Sequence, residues 1–220
     1  MPSRSIEDYL KYIYHIQTSE RRVNTSALAD TLNISPASVS EMVLKLSKLG
    51  WIKNTPYHGF RLTKNGEKIA VNLIRKHRLI EVFLQEHLKY KWDEVHSEAE
   101  RFEHVCSDDF INKLDEYLSY PKFDPHGGPI PDRNGKLNDT KNLLLSNAAV
   151  GEDYTVSKVR DTSNEILRFI SRIGIKLKTK ITLREKLNFD ESVLVQVNHK
   201  EHLLSKKIAE NIFVTGVTKP

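Results

Sequence analysis

The sequence predicts a mainly α chain with small β parts. Helical spacing of apolar residues dominates from residue 5 to about residue 120, broken once by a short hairpin pattern. A stretch dense in Pro and Gly, YPKFDPHGGPIPDRNGKLNDT, then interrupts it, and from about residue 143 short alternating β-branched segments take over. These changes divide the chain into residues 1–64, 65–142 and 143–220.

In the first region SIEDYLKYIYHIQ places Ile6, Tyr9, Leu10, Ile13 and Ile16 at helical spacing, with Ser5 available as a cap. TSALADTLNI is a second, short helix, with Thr25 as its expected cap. PASVSEMVLKLSKLG is a third, with Ser35 as cap, Pro36 at its first position and Gly50 as its stop. WIKNTPYHGFRLT reads as two strands around a turn. Helix, helix, tight turn, helix and hairpin is the order of a winged helix-turn-helix, in which a short helix braces a second one against the major groove of DNA. Leu28, Ala29 and Leu32 would bury one side of this unit, and Val39, Met42, Val43 and Leu46 the other. Ser35, Pro36, Ala37, Ser38, Ser40 and Glu41 are left to approach base edges and phosphates. Lys45, Lys48, Lys53, Arg61 and Lys64 could meet phosphates, with the tip of TPYHGFR as the wing. A plain helical-bundle corner is the bland alternative.

The second region begins with KNGEKIAVNLIRKHRLIEVFLQEHL, a long helix whose broad apolar face suggests burial against another helix or subunit. WDEVHSEAERFEHVC and SDDFINKLDEYLSY follow as helices, the latter with Ser107 as cap and Asp108 and Asp109 in its first turn. In the third region AVGEDYTVSKVRD, KTKITLREKLNFDESVLVQVNHK and SKKIAENIFVTGV supply strand patterns, and SNEILRFISRIGI one helix. A small SH3-like β-barrel is the expected assembly.

Composition narrows the function classes. At 39% hydrophobic and 29% charged residues the chain suits a soluble globular protein. It has no apolar run of about 18 residues, and its N-terminus lacks the basic-then-apolar order of a signal peptide, so a cytoplasmic location and no membrane partner are expected. The single cysteine, Cys106, excludes an intrachain disulfide and a cysteine-rich zinc knuckle. The net charge of +5 is unevenly spread. Residues 1–64 hold nine Lys/Arg against five Asp/Glu, residues 65–125 nine against thirteen, and residues 126–220 sixteen against eleven. Basic ends around an acidic middle are compatible with binding both nucleic acid and a cation.

HSEAERFEH concentrates the cation-binding chemistry. On a continuous helix His96, Glu100, Glu103 and His104 fall at about 0°, 40°, 340° and 80°, one arc beside the apolar stripe. Such an arc can hold a metal between packed helices or lie solvated as helix-stabilising polar pairs. His77 and Glu81 stand one turn apart, Asp8 lies near the start of the first helix, and FDPHGG adds Asp124 and His126. This set of oxygens and imidazoles, without a thiol, favours Mn(II) or Fe(II) over structural zinc. It lacks the arrangement of an HExxH zinc peptidase, a Ser/His/Asp triad or a phosphate-binding Gly loop, so an enzyme is not expected, although a metalloenzyme is the rival from another class.

SIEDYLKYIY, NISPASVSEMVLKL, IRKHRLIEVFL and EVHSEAERFEHVCSDDF together resemble the DtxR/MntR family of metal-dependent transcriptional repressors, in its manganese-responsive branch. The tail is similar to the family's FeoA-type, SH3-like domain. The resemblance implies a helical metal-binding and dimerisation domain over residues 65–142. It also implies a primary metal site of Asp8, Glu100, Glu103 and His104, with His77 beside or within it. A second site would draw on His77, Glu81 and His96, or on Glu81, Asp124, His126 and Asp161; FDPHGG and the VRD ending at Asp161 favour the latter. Asp8 and Glu100 stand where the iron-responsive pattern has sulfur ligands, which favours Mn(II). Asp124 replaces a cysteine of a similar pattern, and Lys11 departs from a shorter manganese-sensor pattern with glutamate there. The implied function is manganese-dependent repression of metal-uptake genes: metal would lock a homodimer into the geometry that binds an inverted-repeat operator in double-stranded DNA. An iron(II)-dependent repressor is the alternative.

Overall fold

In a computed structural model, which describes residues 2–19, 22–55, 59–137, 142–161 and 163–216, the chain divides into two compact units. The first comprises Met1–His77, Glu100–Lys113 and Pro131–Leu137; the second comprises Arg78–Ala99, Leu114–Ile130 and Asn138–Pro220.

The first unit opens with α1 (Arg4–Thr18), α2 (Thr25–Leu32) and α3 (Pro36–Lys48), then the hairpin of β1 (Ile52–Thr55) and β2 (Gly59–Leu62). The expected apolar spacing does become its core: Leu10, Ile13, Leu28, Val39 and Leu46 are fully buried in one cluster. Truncating any of these leucines to alanine would cost about 2–5 kcal/mol. Two caps differ from expectation. Ser5 lies inside α1, whose N-cap is Ser3 without a side-chain bond, and Asn24 rather than Thr25 caps α2 by accepting from the Ala27 N–H at 2.8 Å. Ser35 caps α3 as expected, accepting from the Ser38 N–H at 3.2 Å. Gly59 must be glycine: its φ is +83°, and a Cβ there would lie 1.9 Å from the Val23 carbonyl oxygen. That close approach ties β2 to the start of α2 through the Phe60 N–H bond to the same carbonyl, 3.0 Å. The expected wing tip, Pro56 to His58, lies outside the described residues.

Helices α4 (Lys64–Glu86), α5 (Val95–Phe102) and α6 (Asp108–Tyr117) each give residues to both units. From Ala70 to Leu84 α4 carries buried side chains on most of its circumference, including the ionisable Arg75, His77 and Glu81. The Ser107 hydroxyl caps α6 by accepting from the Phe110 N–H at 3.1 Å.

In the second unit six antiparallel strands follow the order β3-β8-β4-β5-β6-β7. They are β3 (Leu143–Leu144), β4 (Asp153–Val159), β5 (Lys180–Lys186), β6 (Val193–Val197), β7 (Lys200–Leu204) and β8 (Ile212–Gly216). The expected SH3-like barrel is therefore corrected to an open sheet. Among the described residues β7 pairs only with β6, and the two-residue β3 only with β8, so no ladder joins the two edges. Bulges between Val156 and Lys158 and between Leu183 and Glu185 bend the strands without closing them. Leu167 and Ile170 of α7 (Asn164–Arg172) are fully buried in one cluster with the inward residues of the sheet, and the short α8 (Lys206–Ala209) precedes β8.

Candidate metal centres

The first centre lies wholly within the first unit. Burial of Leu10 and Ile13 orients α1 so that Asp8 and Lys11 face the segment after α5. That helix stops at Phe102, so Glu103 and His104 sit in the following turn, and the continuous helical arc expected for HSEAERFEH is not formed. Donor atoms of Asp8, Glu103 and His104 come within 4.8 Å of one another. The His104 ring donates or accepts at both nitrogens, with Nε2 at 3.0 Å from Asp8 Oδ1 and Nδ1 at 2.7 Å from Glu7 Oε2. Its Nε2 is also 3.3 Å from Glu103 Oε1. His77 and Glu100 stand one step out. His77 Nδ1 meets the other Glu103 oxygen at 2.5 Å, and Glu100 reaches the group through the Lys11 ammonium at 3.8 Å.

Lys11 and Glu103 are both buried and form an ion pair of 2.5 Å. Burial opposes the charge on Glu103, but the His77 ring and the Lys11 ammonium hold its carboxyl below the usual range. Burial also opposes the Lys11 charge, and Glu103 more than offsets it, raising the ammonium's pKa. Burial pushes Asp8 up against the opposing pull of His104 and Lys11. Glu7 and Lys11 were not among the expected ligands; their positions one turn or less from Asp8 were the available signal.

The second centre lies within the second unit. Glu81, Asp124 and His126 are all buried and bring donor atoms within 4.8 Å. His96 Nδ1 joins them at 3.5 Å from Glu81 and 3.4 Å from Asp161. The loop is held by its own backbone: Asp124 Oδ1 accepts from the N–H groups of His126 and Gly128, each at 2.8 Å, and Val159 N–H donates to the His126 carbonyl at 2.8 Å. Asp124 Oδ2 pairs with Arg78 Nε at 3.2 Å, and the same guanidinium donates to the Pro129 carbonyl. Gly128 makes room for this pair, because a Cβ there would lie 2.3 Å from Asp124 Oδ2.

Trp92, which sequence reasoning passed over, fixes the His126 ring. The rings stack with centroids 5.4 Å apart, and His126 Nε2–H donates to the Trp92 carbonyl at 2.9 Å. In the neutral ring Nδ1 therefore carries the lone pair. That atom is buried without a hydrogen bond, and Glu81 Oε1 lies 3.8 Å away, too far for one. Burial opposes protonation of both imidazoles, yet neighbouring carboxylates push His126 up to about 9 and His96 up to about 10. Asp161 is correspondingly lowered, chiefly by His96 working against burial. Without metal these rings hold protons that a cation would displace. The buried Nδ1 and its surrounding carboxylates fit a hard divalent ion, and among the described residues no cysteine joins either donor group.

The remaining candidates lie on the exposed surface of α3, including its N-cap, and on the hairpin. Ser35, Pro36, Ala37, Ser38, Ser40, Glu41, Lys45, Lys53 and Arg61 are all exposed. Ser40 donates its hydroxyl to the Pro36 carbonyl at 2.9 Å, and Lys53 lies directly opposite Arg61 across the hairpin. Leu44, which sequence reasoning did not assign, is 60% exposed on the same helix.

A helix-turn-helix with a hairpin, joined in one chain to two oxygen and nitrogen donor groups, one half-buried and one buried, defines a metal-responsive DNA-binding protein. Residues 1–60 match the family described as iron dependent repressor, N-terminal DNA binding domain. Residues 63–132 match the iron dependent repressor metal binding and dimerisation domain, and residues 143–216 the FeoA domain. The HTH-type transcriptional regulator MntR of Oceanobacillus iheyensis is 36% identical over 144 residues, covering 66% of this chain and 91% of that protein. A manganese-dependent transcriptional repressor in complex with manganese superposes with a TM-score of 0.90 at 32% identity, over 96% of this chain and all of the other. ScaR with bound Cd2+ gives 0.87 at 36% identity, over 98% and 100%. The chain belongs to the DtxR/MntR family of metal-dependent transcriptional repressors and carries its C-terminal FeoA domain. Members of this family bind divalent metals and act as DNA-binding homodimers, not as enzymes. No helix among the described residues is long and apolar enough to cross a membrane.

Proposed function

We propose that this protein is a cytoplasmic manganese(II)-dependent repressor that binds an inverted-repeat operator as a homodimer and controls metal-uptake genes. Residues 1–64 would read DNA, residues 65–142 bind metal and dimerise, and residues 143–220 contribute Asp161 to the second centre. The observation that carries the choice of metal is the donor set: carboxylates and imidazoles alone, with the buried His126 Nδ1 aimed among them. A set rich in hard carboxylate oxygens and without thiolate suits Mn(II). Fe(II) would accept the same set, and its repressors share the matched family description, so it is an arm of the test.

Asp8, Glu103 and His104 would hold a divalent ion in the first centre and Glu81, Asp124, His126 and Asp161 in the second, with His77, Glu100 and His96 as adjoining groups; the ion would supply charge that compensates the carboxylates and accept the imidazole lone pairs. The protein's own part begins in the first unit, where Asp8 belongs to α1 and Glu103 and His104 to the turn after α5. Holding these donors together constrains α1, whose buried residues share a core with α3. On α3, Ser35 to Glu41, with Leu44 for thymine methyls, would face the major groove. The facing Lys53 and Arg61 repel one another unless an anion lies between them, which supports phosphate contact. The test is binding of promoter DNA with Mn(II), Fe(II) or Zn(II), repeated with Asp8→Ala and Glu103→Ala. Activation by Mn(II) that both substitutions abolish is expected. Parent-like metal dependence in both would overturn the first centre, and stronger activation by Fe(II) would overturn the choice of metal.

A further inference from the structure

Lys11 is an unusual neighbour for a cation site. Its side chain is 7% exposed, and its ammonium lies 2.5 Å from Glu103 Oε1 and 3.8 Å from Glu100 Oε1. Glu103 Oε1 is also the oxygen 3.3 Å from His104 Nε2, whose ring nitrogen in turn contacts Asp8 at 3.0 Å. The protein's own positive charge thus sits on the very atom through which Glu103 joins the donor group. We propose that Lys11 is a resident cation of the first centre: it neutralises Glu103 and Glu100 when no metal is bound, and it sets the threshold at which a divalent ion enters.

Two physical points support this reading. Carboxylates gathered from α1 and from the turn after α5 repel one another, and a buried carboxylate is costly without a partner. Lys11 meets that need inside the metal-free protein and keeps the donors assembled. A divalent ion entering beside it must either share Glu103 with an ammonium of like sign or displace it, and both lower its affinity. A buried ion pair used only for stability is often replaceable by apolar residues without loss. Here its position beside the donors gives the charge a second consequence, on metal binding.

This inference rests on metal binding at the first centre, and the experiment separates the two. Mn(II) binding is measured by the electron paramagnetic resonance signal of free Mn(II), using the full chain with His126→Ala and Asp161→Ala to silence the second centre. In that background Lys11→Met and Lys11→Gln, which remove the charge, should each tighten Mn(II) binding by roughly tenfold or more, while Lys11→Arg, which keeps it, should stay close to the parent. Loss of packing alone would weaken binding, so tightening distinguishes a threshold charge from a structural prop. Unchanged or weaker binding in both uncharged variants, or equal tightening in Lys11→Arg, would overturn the proposal while leaving metal binding at the centre intact. If the background protein binds no Mn(II) that Glu103→Gln can remove, the first centre and this inference fall together.

Discussion

Neutralising Glu103 should unsettle the metal-free protein more than any exposed charge in the chain. Glu103 and Lys11 are 1% and 6% exposed, so the regime of buried pairs applies, not the 0–1 kcal/mol of surface pairs. Removing one partner of a buried pair leaves the other charge stranded, at about 3–5 kcal/mol. In Glu103→Gln the amide oxygen still accepts a hydrogen bond and Glu100 remains 3.8 Å from the ammonium, which places the expected loss near the lower end, about 3 kcal/mol. With a urea slope of about 3 kcal/mol/M the midpoint falls by about 1 M. The assay is urea unfolding in excess chelator, followed by circular dichroism at pH 7. Glu103→Gln combined with Lys11→Met removes both charges and should recover to within about 1 kcal/mol of the parent. A Glu103→Gln protein within about 0.5 kcal/mol of the parent, or a double variant no better than the single, would refute the pairing. The pH dependence has a definite sign. The folded pKa of Glu103 is depressed, so its stabilisation is present above the unfolded value near 4.5 and is lost as pH falls through the folded one.

His96 and His126 give the opposite dependence. Their folded values of about 10 and about 9 lie above the unfolded 6.5, so in chelator their stabilisation is full below pH 6.5 and lost as pH rises towards 9–10; a thermal midpoint that climbs across that window would contradict it. His126→Ala should lower Mn(II) stoichiometry in equilibrium dialysis by about one ion per chain, and unchanged stoichiometry would remove Nδ1 from the ligand set. Gly128→Ala should force Asp124 away from Arg78 and weaken the second centre by tenfold or so, a cost of about 1.4 kcal/mol to be read by the same dialysis. Lys53→Ala or Arg61→Ala should reduce the salt slope of operator binding by about 1 each, whereas a slope equal to the parent's would place the hairpin away from phosphate.

Local pattern made the helices and strands readable, and long-range pairing decided what it could not. Ile6, Leu10 and Ile13 announced α1 by spacing, and the alternation of Val193, Val195 and Val197 announced β6, because each signal resides in a few consecutive residues. HSEAERFEH kept helical spacing past the point where the helix ends. No residue between Phe102 and Cys106 is a strong breaker, so propensity alone continued it. The break separates the two imidazoles: His96 contacts Glu81 and Asp161, and His104 contacts Asp8 and Glu103, so one arc does not hold both. Alternating strands likewise suggested a barrel, but closure depends on whether a two-residue β3 can meet β7, which alternation does not encode. The candidate residues that the structure does bring together carry the usual ligand chemistry: Asp8, Glu103 and His104 in one group, Glu81, Asp124 and His126 in the other. Pairings far along the chain were not legible: Lys11, noted only as a departure from a pattern, meets Glu103 across 92 positions, and Trp92, which was passed over, meets His126 across 34.

The two centres also compensate their carboxylates by different means, and the side chains explain how. In the second, Arg78 spreads its charge over a planar fork, with one arm on Asp124 Oδ2 and another on the Pro129 carbonyl, while backbone N–H groups occupy Asp124 Oδ1. Such a fork is fixed in direction, and the Gly128 backbone leaves no slack beside it. In the first, Lys11 presents a point charge on a flexible four-carbon stem, and Glu103 and Glu100 stand at unequal distances from it. An ammonium of this kind can move between carboxylates with a small rotation, whereas the guanidinium cannot leave Asp124 without also leaving Pro129. The donors of the second centre are therefore held in one arrangement by the loop itself. Those of the first, drawn from α1 and from the turn after α5, depend on whichever cation lies among them, and α1 is the element that shares its core with α3, the helix proposed to read DNA.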